Sequence, residues 1–318
     1  MKKISLLIPA YNEEEVLDTL YTRLGTLANQ QKDYEFEFLF VNDGSRDKTF
    51  EIIKDFAKLD QRVSYVNLSR NFGKEIAMIA GLDHVTGDAT VIIDADLQDP
   101  PELIPEMIKH WEDGYDDVFA RRNSREGESW FKKITSKTFY RILEKVSDVP
   151  IQKDTGDFRL LDRRAVEALK QMRESERYTK GMFSWIGFQK KEITYDRDPR
   201  AAGVTKWNYP KLINFAIDGI TSFTTAPLRI STYIGFTVSV IAFIYLIILV
   251  INTLIFGNSV DGYPSTVAVI LFLGGVQLLS LGVIGEYIGR IFNETKNRPL
   301  YLIQEYHDGS HKKTRRKA

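Results

Sequence analysis

The 318-residue sequence predicts an α/β domain with a doubly wound, mostly parallel sheet, followed by two membrane-spanning helices. Three observations carry that prediction. In the N-terminal part, short apolar runs alternate with stretches of helical period, the pattern of strands joined by crossover helices. Residues 231–256 carry no charge and residues 266–285 form a second uncharged run. Each is long enough to cross a hydrocarbon layer of ~30 Å, which takes about 20 helical residues. Most of the charge lies at or before Arg229.

Taken in order, residues 3–10 form an apolar strand that leaves through Tyr11, Asn12, Glu13 and Glu14. Residues 14–29 are helical, with Val16, Leu17, Leu20, Leu24 and Leu27 on one face. A strand over 35–41 ends in an Asn42–Asp47 turn, where Asp47 is expected to cap a helix over 48–59. A third strand spans 62–68, and a helix rich in small residues spans 75–85. Residues 89–94 form a fourth strand that ends in Asp94, Ala95, Asp96, Leu97, Gln98, Asp99, Pro100 and Pro101. Carboxylates at a strand's end open into the crevice where α/β sheets bind ligands, and two hard oxygens so spaced suit a divalent cation. The alternative is a solvated loop, with Asp99 capping a helix.

A short strand over 117–120 leads to Arg121 and Arg122. Residues 129–146 read as a basic amphipathic helix that either packs on the domain or lies in the membrane interface. Asp154 and Asp157 form a second acidic stretch before a helix over 163–172, and the plain alternative to a functional role is that either caps it. A strand over 190–195 follows. The polar loop 196–206, with Arg197, Arg200 and Lys206, is either an anion clamp or a solvated linker. Leu212, Phe215, Ala216, Gly219, Ile220 and Phe223 mark a second amphipathic helix.

The catalytic-side domain is therefore expected over 1–206, a juxtamembrane helix over 207–228, the two spans over 229–292 (about 231–256 and 265–290) and a basic tail over 293–318. Arg229 before the spans and Arg290, Lys296, Arg298 and the tail's Lys and Arg residues after them put both flanks in the cytosol by the positive-inside bias. No secretory core follows the first residues, so the domain is expected to remain cytosolic. The tail either rests on anionic lipid or is solvated. Glu286 is expected either to form an i,i+4 pair with Arg290 at the membrane edge or to contact a neighbouring subunit. There are no cysteines, which excludes disulfides, thiolate metal sites and cysteine nucleophiles, and the four histidines lack ligand-like spacing. Neither G-x-G-x-x-G after the first strand nor a Walker motif is present.

The runs I-P-A-Y-N-E at 8–13, V-N-D-G-S at 41–45, N-F-G-K-E at 71–75, D-A-D-L-Q-D-P-P at 94–101 and D-T-G-D-F-R-L at 154–160 resemble the polyprenyl-phosphate glycosyltransferases. These are inverting family 2 enzymes of GT-A, Rossmann-like fold, related to dolichol-phosphate mannose synthase. With two C-terminal spans the chain resembles most the bactoprenol glucosyltransferases of GtrB type. The resemblance implies that Pro9, Tyr11, Glu13 and Asp43 hold the nucleotide, with Lys74 nearby and Ala95 and Gln98 lining the donor site. It implies Asp94 and Asp96 as ligands of Mg²⁺ or Mn²⁺ and Asp157 as the catalytic residue, corresponding to the one usually proposed as general base. It further implies Arg122, Arg200 and Lys206 as partners of the acceptor phosphate, UDP-glucose as donor, undecaprenyl phosphate as acceptor, and no nucleic-acid partner.

Glucose is expected by similarity alone; galactose, N-acetylglucosamine, mannose and amino-arabinose donors are the alternatives. A processive polysaccharide synthase is disfavoured, since residues 177–185 lack Q-x-x-R-W and two spans make a poor channel. A non-catalytic nucleotide-sugar scaffold would leave the acidic and basic residues without a task. Two lone spans and amphipathic surfaces suit a homo-oligomer.

Overall fold

The computed structural model describes residues 1–122, 155–175, 177–195, 226–256 and 262–309. The basic helix expected over 129–146, the loop bearing Arg200 and Lys206, and the juxtamembrane helix lie outside the described residues.

The strands are β1 (Lys2–Ala10), β2 (Tyr34–Asn42), β3 (Val63–Leu68), β4 (Ala89–Ile92), β5 (Asp117–Arg122), β6 (Thr155–Asp162), β7 (Lys190–Tyr195) and β8 (Ile303–His307). They form one sheet in the order β7-β5-β6-β4-β1-β2-β3-β8. Pairings β1–β2, β1–β4, β2–β3 and β5–β7 are parallel, while β4–β6, β5–β6 and β3–β8 are antiparallel. Among the described residues six strands thus run one way and only β6 and β8 oppose them, so the mostly parallel sheet holds.

Alternate side chains divide between two cores, as the two-residue period of a strand requires. Ile4, Leu6 and Ile8 of β1 join Phe36, Phe38 and Phe40 of β2 beneath α1 (Leu17–Gln30), α2 (Thr49–Leu59) and α4 (Ile104–Glu112). Leu7, Leu39 and Val41 face the other way. There they meet α3 (Lys74–His84), α5 (Arg163–Gln171) and α6 (Thr179–Trp185). Burial on both faces explains why these strands read as continuous apolar runs.

Two expectations are corrected. Residues 155–162 form β6 rather than a lead into a helix, and the cap of α5 is Asp162, whose carboxylate accepts from the Arg164 N–H at 2.9 Å. Asp157 is free of that capping role. Part of the expected tail is also structured. After α7 (Ala226–Phe256) and α8 (Tyr263–Thr295), β8 returns to the sheet edge, where the Ser69 N–H donates to Leu302 O at 2.9 Å and the Tyr65 hydroxyl to Glu305 at 2.6 Å.

With 31 and 33 residues, α7 and α8 are about 45–50 Å long. Both are long and apolar enough to cross a membrane, and neither is buried in the protein. Ser231 and Ser280 share a 2.8 Å hydrogen bond between them, and Arg290 pairs with Glu286 at 3.1 Å as the spacing predicts.

Candidate active site

The site grows from the point where β1 and β4 part. Their pairing ends at Leu7 and Ile92, the Ile93 N–H still reaches Leu7 O at 3.0 Å, and β1 then continues to Ala10 beside β2 alone. Pro9, buried, stands beyond the β4 pairing, where its missing N–H costs no ladder bond. The chain leaves β1 towards one face of the sheet and β3 towards the other, which makes this gap a switch point.

Side chains lace the loops around it. Asn12, at φ +55°, receives the Arg46 N–H at 2.8 Å and donates its own N–H to Ser45 at 3.0 Å. Glu13 N–H bonds Thr49 at 2.8 Å, and the side chains of Tyr11 and Glu13 stay partly exposed. Asp43 is only 3% exposed and accepts the amides of Phe72 at 2.7 Å and Gly73 at 3.0 Å. Burial raises its pKa despite those amides and the nearby Arg70. The Asp43 carboxylate therefore ties the β2 and β3 loops together, a task the sequence did not disclose. Gly44 makes that contact feasible: its φ is +66°, and a Cβ there would lie 2.4 Å from Arg70 C.

The acidic residues converge by register. Ile92 pairs with Arg159 at the end of the antiparallel β4–β6 ladder, and Asp94 and Asp157 each stand two residues beyond that pair. Between them stands Lys74, the first residue of α3, whose ammonium lies 2.7 Å from Asp94 and 2.5 Å from Asp157. Burial alone would lower the Lys74 pKa, but the two carboxylates outweigh it and raise it. Burial alone would raise that of Asp157, yet the charges of Lys74, Lys180 and Arg159 hold it well below the usual carboxylate range. Lys74, expected near the nucleotide, is thus a bridge between the two acidic motifs.

Leu97, 7% exposed, adopts φ +59°, a conformation costing about 1–3 kcal/mol in a non-glycine residue. Such strain after the D-x-D turns the chain sharply, and the Gln98 N–H closes on Asp96 at 3.1 Å. Asp94, Asp96 and Gln98 are partly exposed, whereas Ala95 is buried. Asp99 does not cap a helix; it is buried and accepts the Tyr195 hydroxyl. Tyr195 in turn bonds Arg122, whose Nη2 would meet a Cβ on Gly156 at 3.5 Å. Arg122 therefore stands beside the residue preceding Asp157.

A cation already stands at Asp94 in the form of the Lys74 ammonium, and Asp96 lies two residues on. Hard carboxylate oxygens of this kind suit Mg²⁺ or Mn²⁺, although among the described residues no group of three or more acidic or histidine ligands gathers.

Sequence reasoning missed two groups. Arg159, fully buried, pairs with fully buried Asp117 at 3.0 Å and lies 3.6 Å from the Phe183 ring centre, beneath Asp157 on the same strand. Glu75, next to Lys74, accepts the Thr179 N–H at 3.1 Å. Burial and the Asp157 charge raise its pKa to about 7. Its place in N-F-G-K-E was a signal, but a partner 104 residues away was not visible.

A family model described as glycosyl transferase family 2 matches residues 5–170, and one described as GtrB C-terminal hairpin matches residues 226–291. A prophage-derived bactoprenol glucosyl transferase of Shigella flexneri is 48% identical over 308 residues, covering 97% of this chain and 99% of that protein. A prophage bactoprenol glucosyl transferase homolog of Escherichia coli is 48% identical over 302 residues, covering 95% and 98%. Among solved structures, mannosyl-3-phosphoglycerate synthase from Rubrobacter xylanophilus is 16% identical, with 69% of this chain and 72% of that one covered and a TM-score of 0.46. From the first family match and the near-complete cover of these relatives, the chain belongs to glycosyltransferase family 2 and carries the GtrB-type C-terminal hairpin.

Proposed function

We propose that the chain transfers glucose, with inversion, from UDP-glucose to undecaprenyl phosphate at the cytoplasmic face of a membrane, supplying a lipid-linked sugar. The observation that carries the reading is the cluster of Asp94, Lys74 and Asp157 at the sheet's switch point, in a chain 48% identical to bactoprenol glucosyl transferases over almost its whole length.

An acceptor phosphate oxygen attacks the anomeric carbon while the bond to the nucleotide diphosphate breaks. A phosphate monoester, with its second pKa near ~6, is largely dianionic at neutral pH and has no proton to lose. Asp157, held as a carboxylate by Lys74, is correspondingly a poor base. Its work is to orient the sugar and to stabilise positive charge developing at the anomeric centre.

Asp94 and Asp96 would hold Mg²⁺ or Mn²⁺, which would offset the charge of the departing diphosphate. Pro9, Tyr11, Glu13 and the Asp43 turn form the wall for base and ribose, and Gln98 faces the donor sugar. Arg122 receives the acceptor phosphate, joined by Arg200 and Lys206 from the loop outside the described residues. The hairpin brings the lipid's phosphate to this edge, and self-association would bundle lone pairs of spans.

The test is transfer of label from UDP-glucose into organic-extractable undecaprenyl phosphate in detergent, with and without EDTA. Metal-dependent lipid label is expected. A chain that binds UDP but labels no lipid with any nucleotide sugar would sink the proposal.

A further inference from the structure

Helix α3 holds the Lys74 bridge at one end and, at the other, Asp83, which meets residues beside the end of α8. At its start Lys74 bridges Asp94 and Asp157, and Glu75 receives the Thr179 N–H that begins α6. Near its end Asp83 takes both Nη atoms of Arg173 at 2.8 Å, and the same carboxylate accepts the hydroxyl of Tyr301 at 2.7 Å. Tyr301 lies just past the hairpin. Arg173 opens the connection from α5 to α6, and Ser175 on that connection donates its N–H to Glu294, in the last turn of α8, at 2.7 Å. Arg177 then folds back on Met172 O at 2.6 Å, and Thr179 docks on Glu75. Lys180 follows Thr179 and adds its charge to the surroundings of Asp157.

The links from Glu294 to Ser175, from Asp83 to Arg173 and Tyr301, and from Glu75 to Thr179 are hydrogen bonds between different parts of the fold, the Arg177 bond braces the connection internally, and Lys180 acts on Asp157 through its charge. In sequence they run from the end of the membrane hairpin to the catalytic carboxylate. We propose that Arg173, Ser175, Arg177 and Thr179, between α5 and α6, form a positioning strut, anchored by Glu294 and docked by Glu75, that fixes where Lys180 stands as the acceptor's phosphate approaches Asp157. The inference rests on the functional reading above for its chemistry, but not for the strut. Glu75 and Glu294 touch no reacting atom; they act through Thr179, Ser175 and Lys180.

The experiment uses the full chain in lipid nanodiscs, comparing Glu75→Ala, Glu75→Gln and Glu294→Ala. Hydrogen exchange is followed in peptides covering Thr179–Trp185, alongside kcat, acceptor KM and UDP affinity. With Glu75→Ala, exchange at the start of α6 should rise about tenfold and kcat/KM for the acceptor fall about tenfold, with UDP affinity within about twofold. Glu75→Gln, which keeps a carbonyl for the Thr179 N–H, should recover most of both. Glu294→Ala should change both in the same direction by about threefold.

Unchanged exchange in Glu294→Ala would overturn the strut. Faster exchange with parental acceptor kinetics would overturn its positioning role, and so would parallel loss of UDP affinity. If the parent itself transferred sugar to no polyprenyl phosphate, the functional reading would fail separately, and the exchange data would still decide whether Glu294 governs α6.

Discussion

Two aspartates at the ends of the sheet strands, Asp43 buried and Asp157 with a side chain 13% exposed, end up in opposite electrostatic states. Asp43, at the β2–β3 corner, is satisfied by backbone amides, and burial wins, so its pKa rises. Asp157, at the β4–β6 crossing, meets Lys74, and the cations win, so its pKa falls. Burial of a carboxyl therefore does not by itself give its charge; the formal charge of its partners does. The first corner ties two loops together through backbone amides, and the second keeps a negative charge beside Lys74.

The strongest way to break the contrast is Arg159→Met, which leaves Asp117 fully buried without its ion-pair partner. Unfolding in detergent should show a loss of about 3–5 kcal/mol, and adding Asp117→Leu should recover much of it. A small loss would mean that water reaches the pair. Next comes Asp157→Asn, which keeps size and removes charge. Turnover should fall about 100-fold with UDP affinity nearly unchanged, because the lost interaction matters where charge develops. Loss of UDP binding would instead make Asp157 a donor-site residue.

At the other corner, Gly44→Ala forces a Cβ into the Arg70 backbone at positive φ. A stability loss of about 1–2 kcal/mol or more is expected, together with weaker UDP binding. The smallest effect belongs to Asp43→Asn, at about 1 kcal/mol at neutral pH. Its pH dependence is the sharper readout. A carboxyl whose folded pKa lies above its unfolded one keeps its proton longer in the fold, so the parent loses stability as pH rises between the two values. The Asp43→Asn variant should lack that decline; an identical pH profile would show that Asp43 is not elevated.

The same contrast marks what could be read from the chain. Strands β1 to β4 and their helices are joined by local crossovers, and doubly buried strands such as Leu6–Ile8 and Phe38–Val41 announce themselves as apolar runs. The D-A-D turn was legible for the same reason, standing directly after Val91, Ile92 and Ile93. On the other side β6 was obscured: Asp157 and Arg159 interrupt its apolar run, and its partners Asp117 and Lys74 lie at least 40 residues away in sequence. Polar β8 carried no strand signal at all, since its register is set by β3, about 240 residues earlier. Nor could spacing show Lys74 between two carboxylates; only folding α3 over the sheet brings its first residue there.

Strand β8 also decides what becomes of the domain when it is separated from its helices. All six residues of β3 are buried, and β8 is what occupies its outer side. At the opposite margin, β7 opens with Lys190 and Lys191, charges of the kind that discourage a second sheet from adding. Removing everything after α6 and β7 to obtain a soluble fragment would uncover the β3 row of N–H and C=O groups, with no such charge to guard it. Such a fragment should self-associate through that edge even without the apolar hairpin, and restoring residues 301–309 by a short linker should suppress the aggregation.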